Sequence, residues 1–587
     1  MDSKSFICSI FLTLFAFVVL AATQPTVTVE QGVVVGMSES FQESQFIGVN
    51  KTIDVFKGVP FAEPPVGPLR FQPPQAKGSW NGTYNATYFR DACPQTNYVT
   101  QYSEDCLYLN IYAPRPAISG GAAVMVWIHG GAFAVGSASE PSYNGIPLVA
   151  TGDVILVSIN YRLGVFGFLS TGDDALPGNL GLLDQVLALQ WIKQNIAAFG
   201  GDTDRITIFG ESAGSASVSW LVLSQLTAGL FNRAVMQSGT AFSPWALKKD
   251  ADANRNTAFQ LGRNLGCDSS DSTALVSCLR TKNMLDVKSA ADNLFFLGAP
   301  VIDGAFVDDT PDDLYTAGRY SPADILVGSM ADEGTFYIAL NPLYAEYFYS
   351  EDPPFMNRDT CRELISYELT STFGGSNQQI VDDIMALYSD SQTSDYFRSF
   401  VDFYTDYAFA CGANRAASLH AQAGDAVFLY QVTQTPSVSV FDDDNGNGPG
   451  WLGATHGEDI TFVFGTAFSR GLQLTDEEKE LSVKFMKYWT NFAKTGNPSM
   501  NTNASQPESG SDFWPLFNTT SVDYKILNVN LATASALKRD VCKTWNNNLF
   551  PRLDELDTDN GAAGVYDSVG KFLVLTITLV SSFVFLG

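Results

Sequence analysis

The 587-residue chain carries 62 Asp and Glu against 34 Lys and Arg, a formal net charge of −28, with 45% hydrophobic and 16% charged residues. That length excludes a small disulfide-held scaffold, and the apolar content excludes disorder over most of the chain. The negative surplus repels phosphate backbones and no Lys/Arg cluster offsets it, so nucleic acid is excluded as an expected partner.

At the start, Lys4 precedes an apolar run from Phe6 to Leu20 and the small residues Ala21, Ala22 and Thr23. This is the pattern of a cleaved secretory signal over residues 1–23. Five Asn-x-Ser/Thr acceptors, at Asn50, Asn81, Asn85, Asn503 and Asn518, agree with export. Of eight Cys, Cys8 leaves with the signal, and the odd number remaining leaves one unpaired. These cysteines lack C-x-x-C spacing and the chain has only three His, so no metal is expected.

No repeat appears, and residues 24–555 read as one continuous domain. The Pro-rich stretch around Pro60 to Pro74 and the acidic, Gly-rich stretch Asp442 to Gly450 read as surface loops. The short β-branched runs Val124 to Ile128, Val154 to Val157, Ile206 to Phe209 and Asp324 to Val327 read as buried strands. Residues Leu180 to Phe199 carry apolar positions at helical spacing after Gly178-Asn179, which predicts a crossover helix before the strand at Ile206. The expected class is α/β with a mainly parallel sheet flanked by helices.

Directly after the strand ending at Phe209 comes Gly210-Glu211-Ser212-Ala213-Gly214, then small and apolar residues to Leu223 that could begin a helix. This is a nucleophile elbow: the abrupt strand-to-helix turn exposes Ser212 Oγ, and Gly at both flanks lets the two elements approach. The five-residue pattern alone is weak, so the strand-turn-helix context carries the reading. An activated Ser needs a base, and His is the usual one. In the order Ser, acid, His the base follows the nucleophile, which excludes His129. His456, in the loop Gly453-Ala454-Thr455-His456-Gly457 after the strand-like Val427 to Tyr430, is favoured over His420, which falls in a helix-like Ala416 to Ala423 segment and reads as structural. His129-Gly130-Gly131 follows a strand, so the N–H groups of Gly131, Ala132 and Ala213 are candidate oxyanion donors. For the acid, Asp332 and Glu333 compete, because either could orient the imidazole.

Several stretches, in this order along the chain, carry a resemblance: Phe56-Lys57-Gly58-Val59-Pro60-Phe61-Ala62, Ser103-Glu104-Asp105-Cys106-Leu107, the His129 loop, Asn160-Tyr161-Arg162, the Ser212 elbow, Val301-Ile302-Asp303-Gly304, Asp332-Glu333-Gly334 and Thr455-His456-Gly457. Over about residues 27 to 550 the chain resembles the type-B carboxylesterase and cholinesterase family. The resemblance implies an α/β-hydrolase fold with an active-site gorge, Ser212 as nucleophile, Glu333 as acid, His456 as base, and no metal or organic cofactor. It also implies the pairs Cys93–Cys106, Cys267–Cys278 and Cys411–Cys542, with Cys361 left as a buried thiol. Phe133, Glu211, Trp245, Phe296, Phe336 and Tyr337 fall at or near its pocket positions. Choline recognition is where the sequence departs, because Pro94 to Asp105 is short and has no Trp to face a quaternary ammonium. The expected activity is therefore hydrolysis of an uncharged ester. A binding or adhesion relative that has lost its nucleophile, and a lipase or amidase of the same fold, are the alternatives.

At the end, Phe572 to Gly587 is uncharged and short for a span, and follows the small residues Asn560-Gly561-Ala562 and the spacer Ala563 to Lys571. Residues 556–587 are expected to act as a glycosylphosphatidylinositol signal with attachment at Asn560, or less favourably at Gly561 or Gly564. A docked helix and a tail-anchored span are the alternatives. The expected location is the secretory pathway and outer cell surface.

Overall fold

A period of two along the β-branched runs divides the core. Val124, Val126 and Ile128 enter the hydrophobic cluster on one sheet face, while Met125 and Trp127 enter that on the other. Both faces being covered, these strands read as continuous apolar runs rather than alternating ones. A computed structural model describes residues 24–559, apart from 97, 98, 100, 295–297, 390–392, 443–447 and 501–505. The expected signal at 1–23, Phe296, Asn503, Asn560 and the apolar tail lie outside the described residues.

The main sheet has eleven strands: β1 (Met37–Glu43), β2 (Val49–Pro60), β3 (Tyr108–Arg115), β4 (Ala122–Ile128), β5 (Ile155–Ile159), β6 (Gly201–Glu211), β7 (Arg233–Gln237), β8 (Asp324–Met330), β9 (Val427–Val432), β10 (Tyr524–Leu527) and β11 (Ala532–Ala534). Their order is β11-β10-β9-β8-β7-β6-β4-β5-β3-β2-β1. From β10 through β5 every neighbouring pair is parallel, and antiparallel strands complete both edges. Thr26–Val29, Gly32–Val35 and Thr83–Asn85 make a separate small sheet.

One face of the main sheet is covered by α1 (Leu180–Asn195) and α2 (Ala213–Leu223), with part of α3 (Cys411–Ala423). The other is covered by α4 (Asp476–Thr495), through Phe485, Trp489 and Phe492. α1 begins as its spacing predicts. Its preceding residue, Asn179, sits at φ 55° and exchanges two side-chain bonds with the Val301 backbone, at 2.7 and 2.9 Å. The Pro60 to Pro74 stretch differs from the expected surface loop, for Phe61, Ala62, Arg70 and Phe71 are buried. The reason is Arg70, whose guanidinium pairs with Glu104 and donates to the carbonyls of Leu279 and Lys282, satisfying polar groups a loop would leave to water. Disulfides join Cys93–Cys106, Cys267–Cys278 and Cys411–Cys542, and Cys361 is a buried free thiol.

Candidate active site

Four strands of the parallel run β9-β8-β7-β6-β4 deliver the candidate residues to one edge of the sheet. Ser212 follows β6, the loop Gly130 to Gly136 follows β4, Glu333 follows β8, and His456 lies in the segment after β9. Ligand sites of open parallel sheets form at this carboxyl edge.

Ser212 is held at φ 56° and ψ −124°, between the last residue of β6 and the first of α2. Its N–H donates to Gln237 O on β7 at 2.9 Å. The flanking glycines are required sterically. A Cβ on Gly214 would lie 2.0 Å from Ile128 O, and one on Gly210 would lie 2.6 Å from the same oxygen. Strand β4 therefore closes on the elbow at a distance that only hydrogen atoms permit.

Glu333 is fully buried, and its Oε1 accepts from Met330 N at 2.8 Å while Oε2 lies 2.6 Å from His456 Nδ1. Asp332 turns elsewhere: Oδ2 accepts from Ala454 N at 2.9 Å, and Oδ1 pairs with Arg398 at 2.5 Å. Of the two competing carboxylates, Glu333 faces the imidazole and Asp332 braces the loop that carries it. Glu211 Oε1 lies 3.1 Å from His456 Nε2. Burial opposes charge on His456, but the Glu211 and Glu333 carboxylates outweigh it and hold the imidazole above its usual range. Burial pushes the Glu211 carboxyl up, and the His456 imidazolium beside it opposes that by favouring the carboxylate, so the two charges support each other.

The other two histidines are occupied. His129 is buried, stacks on Tyr161 at 4.5 Å, and is pushed down to about 4 by burial. His420, also buried, bonds Asp425 Oδ2 at 2.7 Å and the Tyr315 hydroxyl. In the loop after β4, Gly131, Ala132 and Phe133 take φ of 98°, 53° and 56°. Ala213 opens α2 beside Ser212 and is buried. Gly131, Ala132, Ser212, Glu211 and His456 all line one cavity of about 1420 Å³, together with Phe133, Trp245, Phe336 and Tyr337.

Two contributors carry no signal that the sequence reading used. Phe409, from the π-helical turn Asp406–Ala410, packs on His456 at 4.7 Å, as Phe336 also does at 4.7 Å. Asp459 is buried and accepts from Gln237 Nε2 at 2.9 Å, while Gln237 Oε1 accepts from Trp489 Nε1 at 2.9 Å, tying α4 to the site. Asp459 stands three residues after His456, a spacing that could have flagged it. Phe409 could not be found that way, because only the packed helix turn brings it near. Among the described residues no group of three or more His, Cys, Asp or Glu could hold a metal ion.

Residues 23–545 match the carboxylesterase family. The acetylcholinesterase of Bungarus fasciatus is 37% identical over 533 residues, covering 86% of this chain and 84% of that protein. The chain accordingly belongs to the carboxylesterase family, with its α/β-hydrolase fold and serine-type hydrolysis of carboxylic esters.

Proposed function

We propose that the chain hydrolyses an uncharged carboxylic ester through an acyl-enzyme on Ser212. As Ser212 Oγ bonds to the ester carbon, His456 takes the hydroxyl proton, and the carbonyl oxygen becomes an oxyanion that receives N–H bonds from Gly131, Ala132 and Ala213. Collapse breaks the bond to the alcohol, which leaves with the proton from His456. Water then repeats the cycle on the acyl-enzyme and releases the acid. Glu333 fixes the tautomer in which Nδ1 carries hydrogen and stabilises the imidazolium. The observation that carries this reading is the 2.6 Å contact of Glu333 with His456, whose ring shares a cavity with Ser212.

The uncharged substrate rests on the aromatic lining and on the absence of Trp between Cys93 and Cys106. A choline ester is the second reading. It is favoured by the acetylcholinesterase relative and by Glu211 and Phe336 beside His456. The test is one screen: p-nitrophenyl esters of graded acyl length against acetyl- and butyrylthiocholine, with an organophosphate used to label the nucleophile. A steep preference for thiocholines would replace the first reading with the second, and label on a serine other than Ser212 would end both.

The proposed organisation is a signal over 1–23, a catalytic domain over 24–555, and a spacer and tail over 556–587 with a lipid anchor at Asn560. The disulfides are consistent with export. Asn50, Asn81, Asn85 and Asn518 are exposed, as glycan acceptors need to be. Phosphatidylinositol-specific phospholipase C on expressing cells should release active esterase. Activity that stays bound, with the tail peptide intact, would remove the anchor.

A further inference from the structure

We propose that Gln95 is a positioning residue for the oxyanion loop, acting through the backbone of Gly136. The proposal rests on the reading above that Gly131 and Ala132 supply oxyanion donors.

Three consecutive left-handed residues make this loop intrinsically unfavourable. Gly131 tolerates φ 98°, but Ala132 at 53° and Phe133 at 56° carry side chains in a region that L-residues avoid. Such a conformation persists only where its surroundings over-determine it. Within the loop, the N–H groups of Ala134 and Val135 both donate to Gly131 O at 2.9 Å, closing a tight turn. That turn fixes the internal shape, and its placement against Ser212 has to come from the ends.

At the entry, Tyr161 Oη donates to His129 O at 2.9 Å. In the middle, Gly164 N donates to Phe133 O at 2.8 Å. At the exit, Asn160 Oδ1 accepts from Ala138 N at 2.8 Å, and Gly136 itself is held by a side chain from another distant segment. Gln95 is 3% exposed; its Oε1 accepts from Gly136 N at 2.9 Å and its Nε2 donates to Gly136 O at 2.9 Å. The amide thus pairs with both polar groups of one backbone residue, as a strand neighbour would. A second bond from Nε2 to Cys93 O, at 3.0 Å, fixes the side chain to its own segment. The Cys93–Cys106 disulfide and the bonds between Ala92 and residues Gln101 and Ser103 hold that segment closed. Gly136 itself leaves no slack, since a Cβ there would meet His129 Nδ1 at 2.5 Å and Gly130 O at 2.9 Å. Displacement of Gly136 is therefore transmitted to Gly130 and Gly131 rather than absorbed.

The substitution Gln95→Met keeps length and packing and removes both bonds to Gly136 together with the one to Cys93 O. Expected is a fall in kcat of about tenfold to a hundredfold, the scale of a misplacement near 1 Å, with KM within about twofold. Acylation and deacylation both pass through an oxyanion, so either rate-limiting step feels the change. The diagnostic readout is a trifluoromethyl ketone, which adds to the nucleophile and places an oxyanion where the intermediate has one. Its affinity should weaken by about the same factor as kcat/KM. Gln95→Asn, one methylene short, should give a smaller loss in both, and serves if the Met variant fails to fold. Unchanged kcat and ketone affinity, even with a lowered Tm, would leave Gln95 a structural residue and overturn the proposal. A raised KM with unchanged kcat would also overturn it. If wild-type protein forms no tight ketone adduct at Ser212, the underlying oxyanion reading fails instead, which separates the two failures.

Discussion

Glu333 and Asp332 are adjacent carboxylates that face different partners, His456 and Arg398, and side-chain direction alone separates them. Replacing Glu333 with Gln leaves an amide that cannot stabilise the imidazolium and can present its N–H₂ to Nδ1, inverting the tautomer. The expected loss in kcat is on the order of 10³ to 10⁴. Asp332→Asn removes a charge from Arg398 and weakens the acceptor for Ala454 N, so it should lower Tm while sparing most of kcat. The reverse ranking, measured by steady-state kinetics on both purified variants, would return the acid role to Asp332. Glu211 offers a second test at this scale, through pH. In the proposed mechanism His456 acts as a base only when neutral, and the neighbouring carboxylates favour its charged form. Removing one of them, in Glu211→Gln, should lower the imidazole pKa. The acidic limb of the kcat/KM profile then moves to lower pH, so the variant retains a larger fraction of its own maximum at pH 6 than wild type does. An unmoved or upward-moved limb would mean that Glu211 carries no charge in the working range.

The elbow, a single turn between β6 and α2, depends on glycines that contact another strand. Gly214→Ala would drive a methyl into Ile128 O on β4, a backbone atom that cannot step aside. The expected cost is about 3 kcal/mol or more, visible as a large drop in Tm or as loss of soluble protein. The disulfide that joins α3 to Cys542 spans 131 residues, and the chain-entropy relation gives about 5 kcal/mol for a loop of that size. A Cys411→Ser/Cys542→Ser double variant should therefore unfold at much lower denaturant than one lacking Cys267–Cys278, whose loop spans 11 residues. Elements of this kind were largely legible in the sequence. β-branched runs announced β4 to β6, and helical spacing after Gly178-Asn179 announced α1, because each signal is local. The placement of Ser212, His456 and the β4 loop at one edge of the sheet could be read from strand-turn-helix context. Phe409 and Gln95 could not, since each acts through a partner far along the chain: Phe409 on His456, Gln95 on Gly136. The buried course of Phe61 to Phe71 escaped for the same reason, its interior position being set by Arg70 reaching Glu104 and the Leu279 carbonyl.

At the scale of the whole molecule, charge and cavity make separable contributions to what reaches Ser212. The net charge is −28, and Glu140, Asp250, Asp312, Asp442 and Asp554 line the cavity against Lys248, Lys249, Arg415 and Arg470. Such a field raises the local concentration of any cation whether or not the pocket prefers it. Salt removes the field before it removes the pocket, because the Debye length falls from about 30 Å at 0.01 M to about 8 Å at 0.15 M. For acetylthiocholine, kcat/KM should fall several-fold over that range, whereas for p-nitrophenyl acetate it should change little. The ratio of the two at high salt then reports the pocket with the field screened out. An uncharged-ester enzyme keeps that ratio below one, since nothing between Cys93 and Cys106 supplies an indole to face the ammonium. A cholinesterase would keep it well above one after screening, because a cation–π contact inside a desolvated pocket is beyond the reach of bulk ions. A salt-insensitive thiocholine rate would show instead that the acidic surface exerts no useful field at the cavity mouth, and that its charge serves solubility alone.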